Sequence, residues 1–322
     1  MHLIMLGTGP FAVPTLRALA ASRHKIELVI TRPPAGRTRT ASPVQQTAET
    51  LGIPVWSPDT VNSQEPQSRM ASLHCDLLVV CDYGEILRPA TLATTRLGGI
   101  NLHGSLLPKY RGAAPIQWAI LRGENETGNS IIRMTPGLDA GPLLAQQRTP
   151  IGSDEDAEQL ETRLAAMGAE LVLHVIDELE SNTAKPIIQN PTLASKAPRL
   201  KKEHGAINWS QSAQEIKNQV RAFQPWPRAF TFFHRAASEP LRINIDRVIV
   251  DESTAGAAKA LPEAAAPRPG AILYPSLGRL RVATGSGNLE VLQLQPAGKR
   301  SMLAAEFLRG HPLTDGDWFG LA

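Results

Sequence analysis

The stretch HLIMLGTGPFAVPTLRALAAS, residues 2–22, sets the pattern of the first half of the chain. Residues 2–6 are a short apolar run typical of a buried strand, and Val13, Leu16 and Leu19 then recur at helical spacing. The alternation continues, with apolar runs of strand length at Ile26–Ile30, Asp76–Val80, Gly98–Leu102 and Ser130–Met134. Strands that alternate with helices predict an α/β domain with a largely parallel sheet.

The turn between the first strand and helix, GTGPFA at residues 7–12, matches the loose G-x-G-x-x-A pattern of dinucleotide-binding proteins. Pro10, however, removes a backbone N–H that could face a phosphate. About 20 residues on, where an acid would bind the ribose, the sequence has Thr31-Arg32-Pro33. We therefore interpret the motif as a tight strand-to-helix turn.

The second half of the chain has a different organisation. Residues 189–206 lack periodicity and cluster basic side chains, which predicts a linker. A short helix with Ala213, Ile216, Val220 and Phe223 follows it. Strand-like runs then cover 229–233, 243–250, 270–274, 280–283 and 289–294, and an Ala/Pro-rich insert covers 253–269. Short strands joined by turns predict a small barrel, so we expect domains at 1–188 and 207–322 with the linker between them.

Length and composition limit the class of protein. The chain has 322 residues, 42% of them hydrophobic, which is enough for two cores. No apolar run approaches the ~20 residues needed to span a bilayer, and the start MHLIMLGTGP lacks the charged region of a signal peptide. The spacing of Cys75 and Cys81 matches neither a disulfide framework nor a metal knuckle. We expect a cytoplasmic protein.

Charge is unevenly distributed along the chain. Residues 1–188 carry 16 Lys and Arg against 19 Asp and Glu, whereas residues 189–322 carry 17 against 11. A basic second half suggests contact with a polyanion. An ordinary basic surface would give the same asymmetry.

Three polar residues are candidates for chemistry. Asn101 and His103 lie two apart at the carboxyl end of a predicted strand, so their side chains point to the same side. An amide can donate to an oxygen that gains charge, and an imidazole can exchange a proton near neutral pH. Asp139 follows another strand on a glycine-bracketed loop, from which it could orient or stabilise the imidazole. Taken singly, His103 is better explained as a loop histidine bonded to backbone, and a turn aspartate is a common alternative for Asp139.

Other kinds of site are disfavoured. One histidine and one aspartate without a third ligand make no complete metal site, so we expect no metal. Ser105 lacks the G-x-S-x-G surroundings of a nucleophilic serine.

The strings INLHGSLLP (100–108), YRGAAPI (110–116), ETG (126–128) and GLDAG (137–141) resemble the folate-dependent formyltransferases. The resemblance implies a Rossmann-like formyltransferase domain, 10-formyltetrahydrofolate as formyl donor, and Asn101, His103 and Asp139 as the catalytic trio. It also implies a folate pocket, formed by Tyr83, Gly84, Glu85, Ile86, Leu87, Ser105, Leu106, Leu107 and Pro108.

Within that superfamily, RAFQPWP (221–227), LQPAGKRSM (294–302), APRLKK (197–202) and INWS (207–210) resemble the branch that formylates methionyl-tRNA. This resemblance implies an oligonucleotide-binding-like barrel, the methionyl initiator tRNA as partner and no membrane partner, and we expect a monomer. The candidate tRNA contacts are Arg37, Arg39, Arg199, Lys201, Lys202, Arg221, Lys299 and Arg300. For each of them, a solvated surface charge is an equally good explanation.

Two acids depart from the family pattern. Asp82 and Glu85 stand beside the implied folate pocket, where relatives have small or apolar residues. They could alter folate affinity or simply point outward.

Three rival functions remain. A sugar-nucleotide N-formyltransferase is disfavoured by the basic second domain. A formyl-folate hydrolase would use the same trio on water. A non-catalytic RNA-binding protein is disfavoured because the trio is intact.

Overall fold

The computed structural model describes residues 1–34, 40–236, 238–251, 267–273, 278–314 and 316–321. The chain divides into two compact units. The first comprises Met1–Ile116, Asn125–Ile151 and Gln159–Arg199, and the second comprises Gln117–Glu124, Gly152–Glu158 and Leu200–Ala322. The domain boundaries expected at residues 188 and 207 stay predictions.

The first unit is built on a seven-stranded sheet of order β3-β2-β1-β4-β5-β6-β7. Its strands are β1 (His2–Gly7), β2 (Lys25–Ile30), β3 (Val55–Trp56), β4 (Leu77–Cys81), β5 (Gly99–His103), β6 (Glu126–Arg133) and β7 (Leu143–Pro150). The first five strands are parallel to one another. β6 runs antiparallel to β5, and β7 runs antiparallel to β6. The predicted α/β class is confirmed. Strand order reverses between β1 and β4, the place where open α/β sheets bind ligands.

Helices lie between these strands, and one long helix follows the last strand. They are α1 (Val13–Ala20), α2 (Pro43–Thr50), α3 (Gln64–Ser72), α4 (Pro89–Leu92), α5 (Pro115–Leu121) and α6 (Ala157–Glu180). The predicted first helix splits into a 3-10 turn, Pro10–Ala12, followed by α1. Proline is tolerated at such a start, where an N–H has no helical partner.

The central strands are buried on both faces. Residues 3–6 of β1 and 77–79 of β4 have no exposed surface. Their near-continuous apolar sequence is typical of parallel strands covered by helices. The edge strand β7 was not predicted, because its sequence LLAQQRTP is half polar and only partly buried.

The second unit is an antiparallel sheet of order β10-β11-β12-β9-β8-β14, with β13 paired to β12. The strands are β8 (Ala229–His234), β9 (Leu241–Val250), β10 (Ile272–Leu273), β11 (Leu280–Ala283), β12 (Asn288–Pro296), β13 (Met302–Leu303) and β14 (Trp318–Gly320), with helices α7 (Ala213–Ala222) and α8 (Ala304–Gly310). A bridge between Ala271 and Trp318 brings the two ends of the sheet together, which gives the near-barrel predicted from the sequence.

The core of the second unit is aromatic and aliphatic. Phe233, Phe307 and Phe319 are buried side by side, with ring centroids 5.7 Å apart in both pairs that include Phe233. Most of the predicted insert at 253–269, namely residues 253–266, lies outside the described residues. In the part of the chain that the structure describes, no helix has the length and apolarity to cross a membrane.

Candidate active site

Asn101 and His103 lie on β5, between β4 and β6. Their side chains share one side of the strand because alternate residues of a strand do so. The His103 side chain is only 6% exposed, and Asn101 is half-buried. The predicted pair therefore lies at one place, largely shielded from water.

Asp139 lies on the loop that follows β6, a strand that runs in the direction opposite to β5. β6 is antiparallel to β5, with Arg133 opposite Ile100 and Ser130 opposite His103. The carboxyl end of β6 therefore lies beside the beginning of β5, far from His103. The hairpin loop between β6 and β7, residues 134–142, brings Asp139 back. Its backbone φ of 47° is in the left-handed region, which aspartate tolerates better than most residues.

The three side chains converge. Asn101 Nδ2 lies 3.5 Å from Asp139 Oδ1, and His103 Nδ1 lies 3.7 Å from Asp139 Oδ2. The backbone N–H of Gly112 donates to Asp139 Oδ2 at 2.8 Å, which fixes the carboxylate. The imidazole and the carboxylate are thus close but slightly beyond hydrogen-bond distance.

A backbone carbonyl orients the imidazole. His103 Nε2 lies 2.9 Å from the carbonyl oxygen of Tyr110. A carbonyl oxygen only accepts, so Nε2 carries the proton and Nδ1 is the nitrogen that faces Asp139. Tyr110 has a φ of 62°, which marks a strained turn at this point.

The loop that carries Tyr110 is held by part of the segment predicted as a linker, residues 189–206. Arg111 N–H donates to the Ser195 carbonyl at 2.8 Å, and Ala197 N–H donates to the Arg111 carbonyl at 2.7 Å. A β-carbon on Gly112 would lie 2.5 Å from the Ala197 carbonyl oxygen. Glycine is therefore required where these two segments pair.

Gln189 also supports the site and was missed. It is 5% exposed, and its Nε2 donates to the carbonyls of Asp139 and Gly141, both at 2.8 Å. Arg111 in turn donates to Gln189 Oε1 at 2.6 Å. A single glutamine in a segment without periodicity gave no signal in the sequence.

The loop after β4, residues 83–87, alternates buried and open positions. Tyr83 and Leu87 are 2% and 1% exposed, whereas Ile86 is 59% exposed. Gly84 has a φ of 84°, and no atom lies within 4 Å of the position of a β-carbon. The loop is thus fixed at two points and presents an apolar side chain beside open space.

Hydrogen bonds within the protein hold the second segment of the implied folate pocket, residues 105–108. The Ser105 hydroxyl donates to the Lys109 carbonyl at 2.7 Å. Ser130 Oγ donates to the Ser105 carbonyl at 2.6 Å and accepts from Leu107 N–H at 3.0 Å. Ser105 and Leu107 are buried, so Leu106 and Pro108, both half-buried, are the more accessible members.

Asp82 directly follows β4 and lies beside the glycine turn that follows β1. A β-carbon on Gly9 would lie 1.9 Å from Asp82 Oδ2, so the carboxyl occupies the space beside the glycine turn. Although much of the residue is exposed, its carboxyl packs against the protein, and this desolvation raises the pKa of Asp82 to about 6. A hydrogen bond from Gly9 N–H to the carboxylate acts in the opposite direction. This arrangement supports the interpretation of residues 7–12 as a turn.

Residues 1–176 match the family model described as formyl transferase, and residues 199–312 match its C-terminal domain. A Rhodopirellula baltica protein named methionyl-tRNA formyltransferase is 42% identical, with 98% of this chain and 96% of that protein covered. One of the same name from Citrifermentans bemidjiense is 40% identical, covering 99% and 96%. The chain belongs to the methionyl-tRNA formyltransferase family.

A solved structure is similar in fold. WlaRD, a sugar 3N-formyl transferase determined with dTDP and 5-N-formyl-THF, superposes with a TM-score of 0.66. It is 18% identical, and the match covers 93% of this chain and 99% of WlaRD. At that identity the similarity supports the fold alone.

The basic residues that the family resemblance suggested for tRNA differ in their surroundings. Arg199, Lys201, Lys202 and Lys299 are exposed, with Lys201 Nζ 3.7 Å from Glu203. Arg300 is exposed but pairs with Glu306. Arg37 and Arg39 lie outside the described residues.

Arg221 has a different environment. Its Nη1 donates to the carbonyls of Gly152 and Glu155 at 2.9 and 3.1 Å, and its Nε donates to Asn218 Oδ1 at 3.1 Å. Burial lowers the pKa of the Arg221 guanidinium. These contacts favour a structural role for Arg221.

Proposed function

We propose that this chain transfers the formyl group of 10-formyltetrahydrofolate to the α-amino group of methionine on initiator tRNA. The convergence of Asn101, His103 and Asp139 carries the proposal, in a chain whose relatives at 42% and 40% identity are methionyl-tRNA formyltransferases. Family membership supports the reaction, and the geometry suggests a role for each of the three side chains.

Asn101 acts as the donor to the formyl oxygen. That oxygen gains negative charge as the amine nitrogen bonds to the formyl carbon, and a fixed amide N–H stabilises the charge. The Asn101 side chain is half-buried beside Asp139, so it donates from a site with limited access to water. Low local polarity strengthens such an interaction.

His103 handles the proton. Since Nε2 is bonded to the Tyr110 carbonyl, Nδ1 is the atom that takes the proton lost by the attacking amine. The same nitrogen returns it to the leaving nitrogen of the folate as the carbon–nitrogen bond breaks, so the proton balance closes. Asp139 stabilises the positive imidazole, and its 3.7 Å separation from Nδ1 shortens or is bridged by water when substrates bind.

The loop at residues 83–87 would receive the folate ring. When bound, the folate supplies an activated formyl group. The exposed Ile86 side chain and the open space beside Gly84 suit the face of the bicyclic folate ring, and Tyr83 and Leu87 fix the loop below it. The exposed Arg199, Lys201, Lys202 and Lys299 would contact tRNA phosphates, with Arg37 and Arg39 as further candidates from the sequence.

The test is a transfer assay with purified protein, formyl-folate and three acceptors: methionyl initiator tRNA, a nucleotide-linked amino sugar and water. We expect formylation of the tRNA in preference to the other two. Formylation of the amino sugar with unmodified tRNA, or release of formate alone, would overturn the proposal. Charged elongator methionyl-tRNA is the matched acceptor that measures discrimination.

A further inference from the structure

The carboxylate of Glu85 has its hydrogen-bonding capacity taken up inside the protein. Arg32 Nη1 donates to Oε2 at 2.8 Å, and Val61 N–H donates to the same oxygen at 3.3 Å. Oε1 accepts from the Thr60 hydroxyl and, at 2.8 Å, from Asn62 Nδ2. Four donors match the four lone-pair sites of a carboxylate, so Glu85 has little capacity left for a ligand.

The partners of Glu85 also hold the backbone of its own loop. Asn62 Nδ2 donates to the Ile86 carbonyl at 2.9 Å. Asn62 Oδ1 accepts from Arg88 N–H at 2.8 Å and from the Thr91 hydroxyl at 2.8 Å. Glu85 and Asn62 together therefore fix the segment that follows Gly84.

Arg32 connects the same loop to two others. Its Nη1 donates to the Asp59 carbonyl at 2.9 Å as well as to Glu85, and its backbone N–H donates to Thr8 Oγ1 at 3.3 Å. Thr8 Oγ1 donates to the Tyr83 carbonyl at 3.3 Å, and Thr8 N–H donates to the Asp82 carbonyl at 3.0 Å. The loops that follow β1, β2, β3 and β4 are joined through these bonds.

This network is suited to a loop that would otherwise be poorly held. Asp82 and Gly84 have φ values of 47° and 84°, a backbone region that only a supporting structure keeps occupied in a residue other than glycine. The Glu85 side chain is 17% exposed and the Arg32 side chain 36% exposed, so the ion pair is partly shielded from water. Shielding makes such a pair stronger than a fully exposed one.

We infer that Arg32 and Glu85 are positioning residues that hold the 83–87 loop in the conformation that receives the folate ring. The inference rests on the proposed function, because it takes the loop as the folate site. It also decides between the two outcomes left open by the sequence: Glu85 turns inward and acts on folate affinity through the loop, without touching the ligand. Neither residue contacts the trio, so their loss changes binding of the donor more than the chemical step.

The test measures binding and turnover separately. Binding of 5-formyltetrahydrofolate, a stable folate probe, is measured by calorimetry, and KM and kcat are measured in the transfer assay. For Glu85→Ala and Arg32→Ala we expect affinity to fall about tenfold, as for the loss of a charged hydrogen bond, with kcat within about twofold. The double variant should be little worse than either single one, because the two residues act as a pair.

Two milder variants and one control complete the design. Glu85→Gln keeps the shape and one acceptor oxygen, so it should recover part of the affinity, and Thr60→Val removes one donor without a charge change. Glu49→Ala, an exposed acid on α2, should bind folate normally. If an alanine variant fails to fold, these milder variants still decide the question.

The outcomes separate this inference from the proposed function. Wild-type affinity in Glu85→Gln, Thr60→Val and the alanine variants, in a protein that formylates tRNA, would overturn the positioning role alone. Weakened folate binding in the variants of a protein that formylates another amine would support the positioning role and overturn the proposed acceptor. A wild-type chain that binds no folate overturns both.

Discussion

The carbonyl oxygen of Tyr110 lies 2.9 Å from His103 Nε2, and this one bond decides which nitrogen of the imidazole faces Asp139. The carbonyl points at the ring because Tyr110 adopts a φ of 62°, in a turn held against residues 195–197. The chemistry proposed for His103 therefore depends on the backbone geometry of Tyr110, seven positions beyond the last residue of β5.

Replacing His103 by alanine should lower turnover by about 10²–10⁴-fold, the range typical of a general acid–base group. The fold should persist, since Asn101 and the strand remain. The measurement is kcat in the transfer assay, with circular dichroism as the check on folding. His174→Ala, on the exposed side of α6, is the matched control. Near-normal turnover would return His103 to a structural role.

Gly112→Ala should disrupt the site through the backbone. Gly112 has a φ of 125°, and a new β-carbon there would lie 2.5 Å from the Ala197 carbonyl oxygen. The resulting shift would break the hydrogen bond from the residue 112 N–H to Asp139. We expect a loss of roughly 1–3 kcal/mol in unfolding free energy together with lower activity. Gly298→Ala, at a φ of 72° with no atom within 4 Å, should be milder and leave activity intact. Equal effects would show that the contact with Ala197 is unimportant.

Asp82 should make stability depend on pH in the direction opposite to that of a salt-bridged acid. Desolvation of its carboxyl in the fold raises the pKa of Asp82 to about 6, above the ordinary aspartate value of 3.8, so the folded state holds the proton more tightly than the unfolded state. The ionised form therefore destabilises the fold above about pH 6, and this effect disappears as pH falls toward 4. Asp82→Asn should be more stable than wild type at pH 7–8, with a difference that shrinks below pH 6. Denaturant unfolding of both proteins across this range provides the measurement, and a pH-independent difference would contradict it.

Both cysteines should resist thiol reagents in the native protein at pH 8. Cys75 and Cys81 are 3% and 0% exposed, and burial raises the pKa of Cys75 to about 11 and that of Cys81 above its usual value. Mass spectrometry after alkylation should find no label on the folded chain and two labels after denaturation. Rapid labelling of either native thiol would contradict the described packing.

Neutralising Lys201 and Lys202 should weaken tRNA binding and flatten its dependence on salt. Each lost phosphate contact lowers the slope of log K against log salt by about 0.7–0.9. Arg221→Gln should instead lower thermal stability and leave that slope unchanged, because its guanidinium bonds to the Gly152 and Glu155 carbonyls. Filter binding at several salt concentrations distinguishes the two. An unchanged slope for the lysine variant would show that neither lysine contacts tRNA phosphates.

Local sequence patterns were enough to predict the α/β architecture and part of the candidate active site. Apolar runs of strand length alternating with helical spacing indicated the α/β unit. This works because the spacing of apolar residues within a strand or helix predicts which of its faces is buried. Asn101 and His103 could be paired from the sequence because the two-residue repeat of a strand is also local. Asp139 was a candidate from its position on a glycine-bracketed loop after a strand, and the resemblance to formyltransferases implied its place in the trio.

Strand pairing and hydrogen bonds between segments distant in sequence could be found only in the tertiary structure. The direction of β6 depends on how it pairs with β5, which no periodicity records, and it explains why Asp139 arrives by a hairpin loop rather than at a parallel strand end. Gln189 and the hydrogen bonds around Glu85 join residues up to 50 and 53 positions apart. The sequence by itself determined the elements and the reactive side chains. Only the folded chain decided their orientation, because that orientation is held by non-local hydrogen bonds.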